Sequence, residues 1–139
     1  MKKLLLDINI VLDILLDRKP HAAVSGAVWA RIEKSEAKGY LPAHGATTIF
    51  YLIERDKGAK VARKALEAIV RVLEVAPVDG AVVDAALTLD WPDFEDAVCA
   101  ASAQACGCDA IVSRDPAGFP EPPVPVLDPE TALAWLISE

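Results

Sequence analysis

The stretch LLLDINIVLD, residues 4–13, decides the fold that we predict for this chain. Its first three residues form a short apolar run that ends in an acid, Asp7, which is typical of a strand buried on both faces. Apolar side chains then recur at helical spacing from Ile10 to Leu15. The helix has to stop before Pro20, because the residue before a proline avoids the α region. A buried strand that leads directly into a helix indicates an α/β protein.

Strand-like and helix-like segments alternate through the rest of the chain. Further strands are predicted at residues 40–41, 75–78, 110–112 and 124–127, with Pro77 marking the second of these four as weak or as an edge strand. Helices are predicted at residues 21–38, 45–55, 57–72, 79–89, 93–106 and 131–137. This alternation favours a mostly parallel central sheet. The length of 139 residues fits one domain over residues 1–139.

The composition limits the class of function. The chain is 53% hydrophobic and 25% charged, which is enough apolar material for one packed core. Its formal net charge of −7 counts against a protein that simply coats phosphates. It does not count against an enzyme whose acidic site is neutralised by metal.

The three cysteines are odd in number and have no histidine nearby, which does not fit a disulfide framework or a zinc site. Neither a signal peptide nor a membrane span is predicted, so we expect a cytoplasmic protein.

Two aspartates follow short apolar runs. Asp7 comes after the first predicted strand and Asp115 after the strand at residues 110–112. In a parallel sheet both would lie just beyond the carboxyl ends of strands, where ligand sites collect. Each of them could instead do no more than cap the helix that follows it.

A third acid, Asp96, stands at the start of a predicted helix in the segment WPDFED, residues 91–96. A capping role is a real alternative here as well, with Asp93 as the N-cap and Asp96 in the first turn. Capping does not require the small residues that follow Asp96 on the same helix face, which are Ala100, Ala103 and Gly107. Those residues would let the helix approach the sheet closely, and Asp96 would then point toward the strand ends.

Three carboxylates at one place repel each other unless a cation joins them. Oxygen ligands without histidine or thiolate favour Mg²⁺ or Mn²⁺ over zinc. The chemistry that fits is phosphodiester hydrolysis, in which metal lowers the pKa of a bound water and stabilises charge on the phosphate oxygens.

Three motifs together resemble the PIN domain family. LLLDINIVLD (residues 4–13) resembles the opening of these domains, DFEDAVCAA (93–101) their central acidic helix, and IVSRDPAGF (111–119) their late strand and turn. The nearest branch is that of the VapC-type toxins. The resemblance implies a three-layer α/β/α domain and a metal-dependent ribonuclease. It also implies a protein that is often a homodimer and that is held inactive by an antitoxin.

Carried over by position, the resemblance assigns metal binding to Asp7, Asp96 and Asp115. Asp93 would be an auxiliary acid, while Asn9 and Ser113 would be polar supports that orient the carboxylates. One position departs from the family pattern. Near the start of the third helix most members carry a glutamate, and this chain has Thr48, a neutral residue that would support metal binding less strongly.

The function expected on this basis is hydrolysis of RNA phosphodiesters with Mg²⁺ or Mn²⁺, by the toxin of a type II toxin–antitoxin pair. The expected partners are the RNA substrate, an antitoxin protein and a second copy of the chain. The alternative is a PIN-fold binding module with weak or absent catalysis that acts through protein or RNA contacts. Phosphoryl transfer with Asp7 as nucleophile is less favoured, because Asn9 stands where a second acid would be needed.

Other features admit a functional and a structural interpretation. A basic stretch could follow an RNA backbone or be a solvated helix face; it comprises Arg55, Lys57, Lys60, Arg63 and Lys64. The tryptophans Trp29, Trp91 and Trp135 could stack on bases, but core or interface packing is preferred. The isolated His21 and His44 are interpreted as surface or structural residues.

Overall fold

The computed structural model describes residues 1–138. In this part of the chain the strands are β1 (Lys3–Leu6), β2 (Lys38–Pro42), β3 (Glu74–Ala76), β4 (Ala110–Val112) and β5 (Val126–Leu127). The helices are α1 (Ile8–Leu15), α2 (His21–Glu33), α3 (Ala43–Lys57), α4 (Ala59–Val72), α5 (Gly80–Leu89), α6 (Phe94–Ala105) and α7 (Pro129–Ile137).

The strands form one parallel sheet in the order β3-β2-β1-β4-β5. The central strand is β1, in which Leu5 lies level with Tyr40 of β2 and Ile111 of β4. From β1 the chain builds toward β3 on one side, and it returns to build β4 and β5 on the other. The change of direction creates a crevice at the carboxyl ends of β1 and β4, which is where open α/β sheets bind ligands.

Helices cover both faces of the sheet. Leu4 and Leu6 point into a core formed with α1, α2, α3, α4 and α7, whereas Leu5 points to the opposite face and packs with α6. Further out, α5 packs on α6 through Val82 and Ala86. The three leucines of β1 are fully buried, as predicted for a strand covered on both faces. The predicted α/β class, with helix layers on either side of a parallel sheet, is therefore confirmed.

The approach of α6 to the sheet depends on small side chains. Cys99, Ala100 and Ala103 are completely buried against the sheet. Gly107 follows the helix with a φ of +70°, a conformation in which glycine is not strained, and it lets the chain turn into β4. Cys99, Cys106 and Cys108 are all free thiols, with Cys99 serving as a small core residue.

Several boundaries differ from the predicted ones. The second helix ends at Glu33 rather than near residue 38, because the chain turns at Ser35, which has a φ of +62°. The strand predicted at residues 75–78 lies at Glu74–Ala76 and stops before Pro77, which has no N–H to donate to a neighbouring strand. It is an edge strand, as predicted. Within residues 1–138, none of the helices has the length and apolar character that crossing a membrane would require.

Candidate functional site

Asp7 is fixed at the point where β1 passes into α1. It is the N-cap of α1, and its Oδ1 accepts a hydrogen bond of 2.8 Å from the Ile8 N–H. Its Oδ2 accepts a second bond, of 3.2 Å, from the Ser113 hydroxyl. The residue is only 7% exposed. Burial raises the pKa of Asp7, and the hydrogen bonds from Ile8 and Ser113 oppose that rise.

Ser113 connects the ends of the two central strands. While its hydroxyl donates to Asp7, its oxygen accepts a hydrogen bond of 3.2 Å from the Asp115 N–H. The backbone joins the same two strands through the Asp7 N–H, which donates to the Val112 carbonyl at 3.0 Å. Ser113 therefore orients one carboxylate directly and fixes the start of the loop that carries another.

The start of α6 brings two more acids to this crevice. Asp93 is the N-cap of the helix, and its side chain accepts a hydrogen bond of 3.1 Å from the Asp96 N–H. The Asp93 cap is thus real, as the capping interpretation held, and it leaves the Asp96 carboxylate free. Burial raises the pKa of Asp96 to about 7, with further contributions from Asp93, Asp7, Glu95 and Asp115 in that order.

These acids line one cleft of about 430 Å³. The side chains around it are Asp7, Asn9, His21, Asp93, Asp96, Ser113, Arg114, Asp115 and Phe119. The structure thus brings together all four acids selected from the sequence, along with the two polar residues Asn9 and Ser113. Phe119 forms part of the wall and meets Trp91 edge to face, with ring centroids 5.8 Å apart. Trp91 therefore packs, as the preferred interpretation of the tryptophans held.

Gly118 leaves space beside two of the carboxylates. A Cβ atom at this position would lie 3.2 Å from Asp115 Oδ2 and 3.7 Å from Asp96 Oδ2. Because both distances are measured from the same point, these two oxygens lie near each other. Both carboxylates thus lie beside position 118, where any side chain would crowd them.

The oxygen atoms that line the cleft are of the chemical type that hard divalent cations prefer as ligands. They are carboxylate oxygens, with the Ser113 hydroxyl and the Asn9 amide beside them, and Mg²⁺ and Mn²⁺ prefer such ligands. Within residues 1–138, however, no three His, Cys, Asp or Glu side chains are already close enough to hold one ion. The acids converge on one cleft but stand apart, as mutually repelling charges do. Three of these acids could hold one ion only if they moved closer together.

Thr48, the position at which the family pattern has a glutamate, does not line the cleft. Its hydroxyl donates to the His44 carbonyl of its own helix at 3.4 Å. His44 lies one turn earlier on α3, and its ring is close enough to Glu95 for the two groups to interact electrostatically. Both ring nitrogens of His44 are buried, and neither has a hydrogen-bond partner in residues 1–138. Burial lowers the pKa of His44, while Glu95 opposes this.

Sequence reasoning therefore missed His44, His21 and Glu95 as neighbours of the site. Glu95 could have been suspected because it precedes Asp96, and its charge raises the pKa of both Asp7 and Asp96. His44 lies two residues beyond the end of β2, near the carboxyl edge of the sheet, and this place could have been inferred from the sequence. His21 lines the cleft, but it belongs to none of the sequence motifs and so could not have been selected from them.

The basic stretch and the other aromatic residues lie elsewhere. The basic side chains at the end of α3 and on α4 are exposed, and none of them lines the cleft. Trp29 and Trp135 pack partly against the larger core.

Comparison with known proteins identifies the family. A family model described as PIN domain matches residues 3–117. No protein among those with curated functions matches the sequence significantly.

Several solved structures have the same fold. The crystal structure of VapBC2 from Rickettsia felis, bound to a DNA fragment from its promoter, has a TM-score of 0.72 at 13% identity and covers 91% of this chain and 98% of that one. DNA-bound VapBC from Salmonella typhimurium has a TM-score of 0.71 at 16% identity, covering 93% and 99%. Mycobacterium tuberculosis VapC20, a toxin that cleaves the sarcin-ricin loop, has a TM-score of 0.62 at 16% identity, covering 78% and 86%. With the family model matching most of its length, the chain belongs to the PIN domain family.

Proposed function

We propose that this chain is a metal-dependent endoribonuclease that hydrolyses RNA phosphodiesters, and that it is the cytoplasmic toxin of a type II toxin–antitoxin pair. The observation that carries the proposal is the meeting of Asp7, Asp93, Asp96 and Asp115 in one cleft at the carboxyl edge of the sheet. Such a concentration of acids disfavours folding unless it serves a cation. The similarity to toxin structures supports the choice of RNA as substrate.

Asp7, Asp96 and Asp115 would hold Mg²⁺ or Mn²⁺, with Asn9 and Ser113 supporting them. When bound, the metal would lower the pKa of a water molecule and stabilise charge on the phosphate oxygens. The protein contributes orientation. The Ile8 N–H and the Ser113 hydroxyl hold Asp7 in one position, and Ser113 also holds the backbone of Asp115. Asp96, with a pKa of about 7, would release a proton near neutral pH as a cation binds.

A catalytically weak binding module with the same fold is the second candidate. Two observations favour it: Thr48 is neutral and bonded back to its own helix, and no three acids of residues 1–138 stand within reach of one ion. A protein of this kind would act through RNA or protein contacts and would show no turnover.

We further propose an antitoxin as partner, in agreement with the VapBC complexes that share the fold. A second copy of the chain is the other partner that we propose. Large apolar side chains remain exposed and would be covered in such assemblies; among them are Tyr51, Leu87 and Phe94.

The experiment that tests the proposal is cleavage of a structured RNA by purified protein with Mg²⁺ or Mn²⁺. Asp7→Asn keeps the size of the side chain and should abolish cleavage. Asp84→Asn alters an exposed acid on α5 that does not line the cleft, so it should leave cleavage unchanged and serve as the control for charge. No cleavage by the unmodified protein at saturating Mn²⁺ would replace the nuclease with the binding module. Equal cleavage by the Asp7→Asn variant would show that the activity does not depend on this cleft.

A further inference from the structure

The buried carboxylate of Asp13 is held by two arginines. Asp13 lies on α1 with no exposed surface. Arg114 Nε lies 2.9 Å from its Oδ2, and an Arg18 guanidinium nitrogen lies 3.6 Å from its Oδ1. Neither carboxylate oxygen has a well-aligned hydrogen-bond partner in residues 1–138, so both contacts are ion pairs. A charge buried this deeply requires such compensation, and Asp13 therefore holds Arg114 in place.

Arg114 also faces the acid cleft. It stands between Ser113 and Asp115 in the sequence and lines the same cavity as both. A third of its side chain is exposed, and within residues 1–138 Asp13 is the sole acid paired with it. The guanidinium group has five N–H donors in a planar fork, and Nε is the nitrogen that lies closest to Asp13. Its remaining donors are available to a ligand that enters the cleft.

A second hollow shares two lining residues with the cleft. It has a volume of about 190 Å³ and is lined by His21, Val24, Arg114, Asp128, Pro129 and Glu130. His21 and Arg114 line both cavities and are the basic side chains of the acid cleft in the described part of the chain. A ligand that extends beyond the carboxylates in this direction passes these two residues.

We propose that Arg114, positioned by Asp13, binds a backbone phosphate of RNA next to the phosphodiester in the acid cleft, with His21 beside it. The inference rests on the proposed ribonuclease function and gives it a subsite. A carboxylate repels a phosphate because both are negatively charged. A pre-positioned guanidinium can instead donate two parallel hydrogen bonds to phosphate oxygens. The ion pair with Asp13 fixes the fork before RNA arrives, which reduces the entropy lost on binding.

The test measures binding separately from cleavage. A short fluorescent single-stranded RNA is titrated with the Asp7→Asn protein in Mg²⁺, and binding is followed by anisotropy at several salt concentrations. Three further substitutions are compared in this background: Arg114→Gln, Asp13→Asn and, as matched control, Arg18→Gln. Arg18 contacts the same buried carboxylate but does not line the cleft. Thermal unfolding shows whether each variant is folded.

Arg114→Gln should weaken RNA binding about tenfold at low salt. It should also reduce the slope of log affinity against log salt by about 0.7, the value for one phosphate contact with a single strand. Asp13→Asn should reduce the slope similarly, a change that a merely structural residue would not produce. Arg18→Gln should change neither quantity.

Equal RNA affinity and slope for the Arg114→Gln protein would overturn the proposal, and so would an absence of RNA binding by the Asp7→Asn protein itself. A parallel titration with polyglutamate provides a competing probe. Loss of polyglutamate binding with RNA binding unchanged would assign Arg114 to an acidic protein partner instead. Cleavage by the unmodified protein is scored independently, so the subsite and the nuclease proposal can fail separately.

Discussion

The Ser113 hydroxyl donates a hydrogen bond of 3.2 Å to Asp7 Oδ2, although the two residues are 106 positions apart in the sequence. This bond crosses the crevice between β1 and β4, the two strands at which the order of the sheet changes direction. It points one buried carboxylate into the cleft and lowers its pKa against the effect of burial. One of the three acids that we expect to hold metal is therefore oriented by a residue of a neighbouring strand end.

Replacing Ser113 should weaken metal binding more than it weakens the fold. In Ser113→Ala the Asp7 carboxylate loses an orienting donor, so Mn²⁺ affinity should fall about tenfold. The free energy of unfolding should fall by about 1 kcal/mol. Ser102→Ala is the control, because this serine is also buried but bonds to the Pro77 carbonyl away from the cleft. Titration calorimetry and denaturant unfolding measure the two effects, and equal Mn²⁺ affinity in both variants would refute the role of Ser113.

Mn²⁺ affinity should rise as the pH increases from 6 to 8. The folded protein holds the pKa of Asp96 at about 7, so below that pH a proton competes with the cation and above it the carboxylate is free. Calorimetry at three pH values should show proton release near neutral pH, and Asp96→Asn should abolish binding. Affinity that is independent of pH, or unchanged in the Asp96→Asn variant, would place the metal elsewhere.

The metal-free protein should become less stable over the range in which Asp96 ionises. The pKa of this carboxyl is about 7 in the folded chain and near 3.8 without its environment. Its contribution to stability is therefore present at low pH and is lost as the pH rises through 7. Thermal unfolding in the presence of a chelator should show this decline, and Asp96→Asn should reduce it. Because burial lowers the pKa of His44 and so favours stability in the opposite direction as the pH rises, the comparison with Asp96→Asn decides. A pH dependence of the melting temperature that is the same in both proteins would contradict the assignment.

A methyl group at position 118 should disturb the site while leaving the fold intact. In Gly118→Ala the new Cβ would lie 3.2 Å from Asp115 Oδ2, which forces that carboxylate to shift. We expect a loss of about tenfold in Mn²⁺ affinity with little change in melting temperature. Gly80→Ala is a matched control, because a Cβ there meets nothing within 4 Å. Unchanged affinity in the Gly118→Ala protein would show that metal binding does not need the space that Gly118 leaves beside Asp115.

Restoring an acid on α3 should raise ribonuclease activity. Thr48 lies where the family pattern has a glutamate, and its hydroxyl donates a hydrogen bond to the His44 carbonyl within the same helix. Thr48→Glu should increase cleavage most clearly at low metal concentration, because an added carboxylate strengthens metal binding more than it changes the chemistry. Thr48→Gln has the same length without the charge and should not. If the unmodified and Thr48→Glu proteins both remain inactive at saturating Mn²⁺, the binding-module proposal takes the place of the nuclease.

How much of this protein could be predicted depends on the range of the interactions. The buried strand at Leu4–Leu6, the small-residue face of α6 and the stops at Pro20 and Gly107 are local patterns, and each was found close to its predicted position. The end of α2 was misplaced, because Ser35 takes up a left-handed conformation that nothing in its own side chain requires.

The candidate acids could be selected from the sequence because the carboxyl end of a buried strand is marked by the short apolar run that precedes it. Asp7 and Asp115 follow apolar runs, and Asp96 follows a cap, so the carboxyl edge of the sheet was their expected place. Thr48 was selected only by its place in the family pattern. Its hydroxyl donates back to the His44 carbonyl, and that choice of hydrogen bond depends on packing around α3.

The sequence by itself determined the alternation of strands and helices, since the periods of apolar residues and the positions of proline and glycine are properties of short segments. It did not determine the strand order, because the side on which each crossover returns to the sheet depends on long-range packing. Only that order brings Ser113 against Asp7, Arg114 against Asp13, and Asp96 among the other acids. The raised pKa of Asp96 likewise belongs to the tertiary structure, because burial and the charges of residues distant in sequence produce it together.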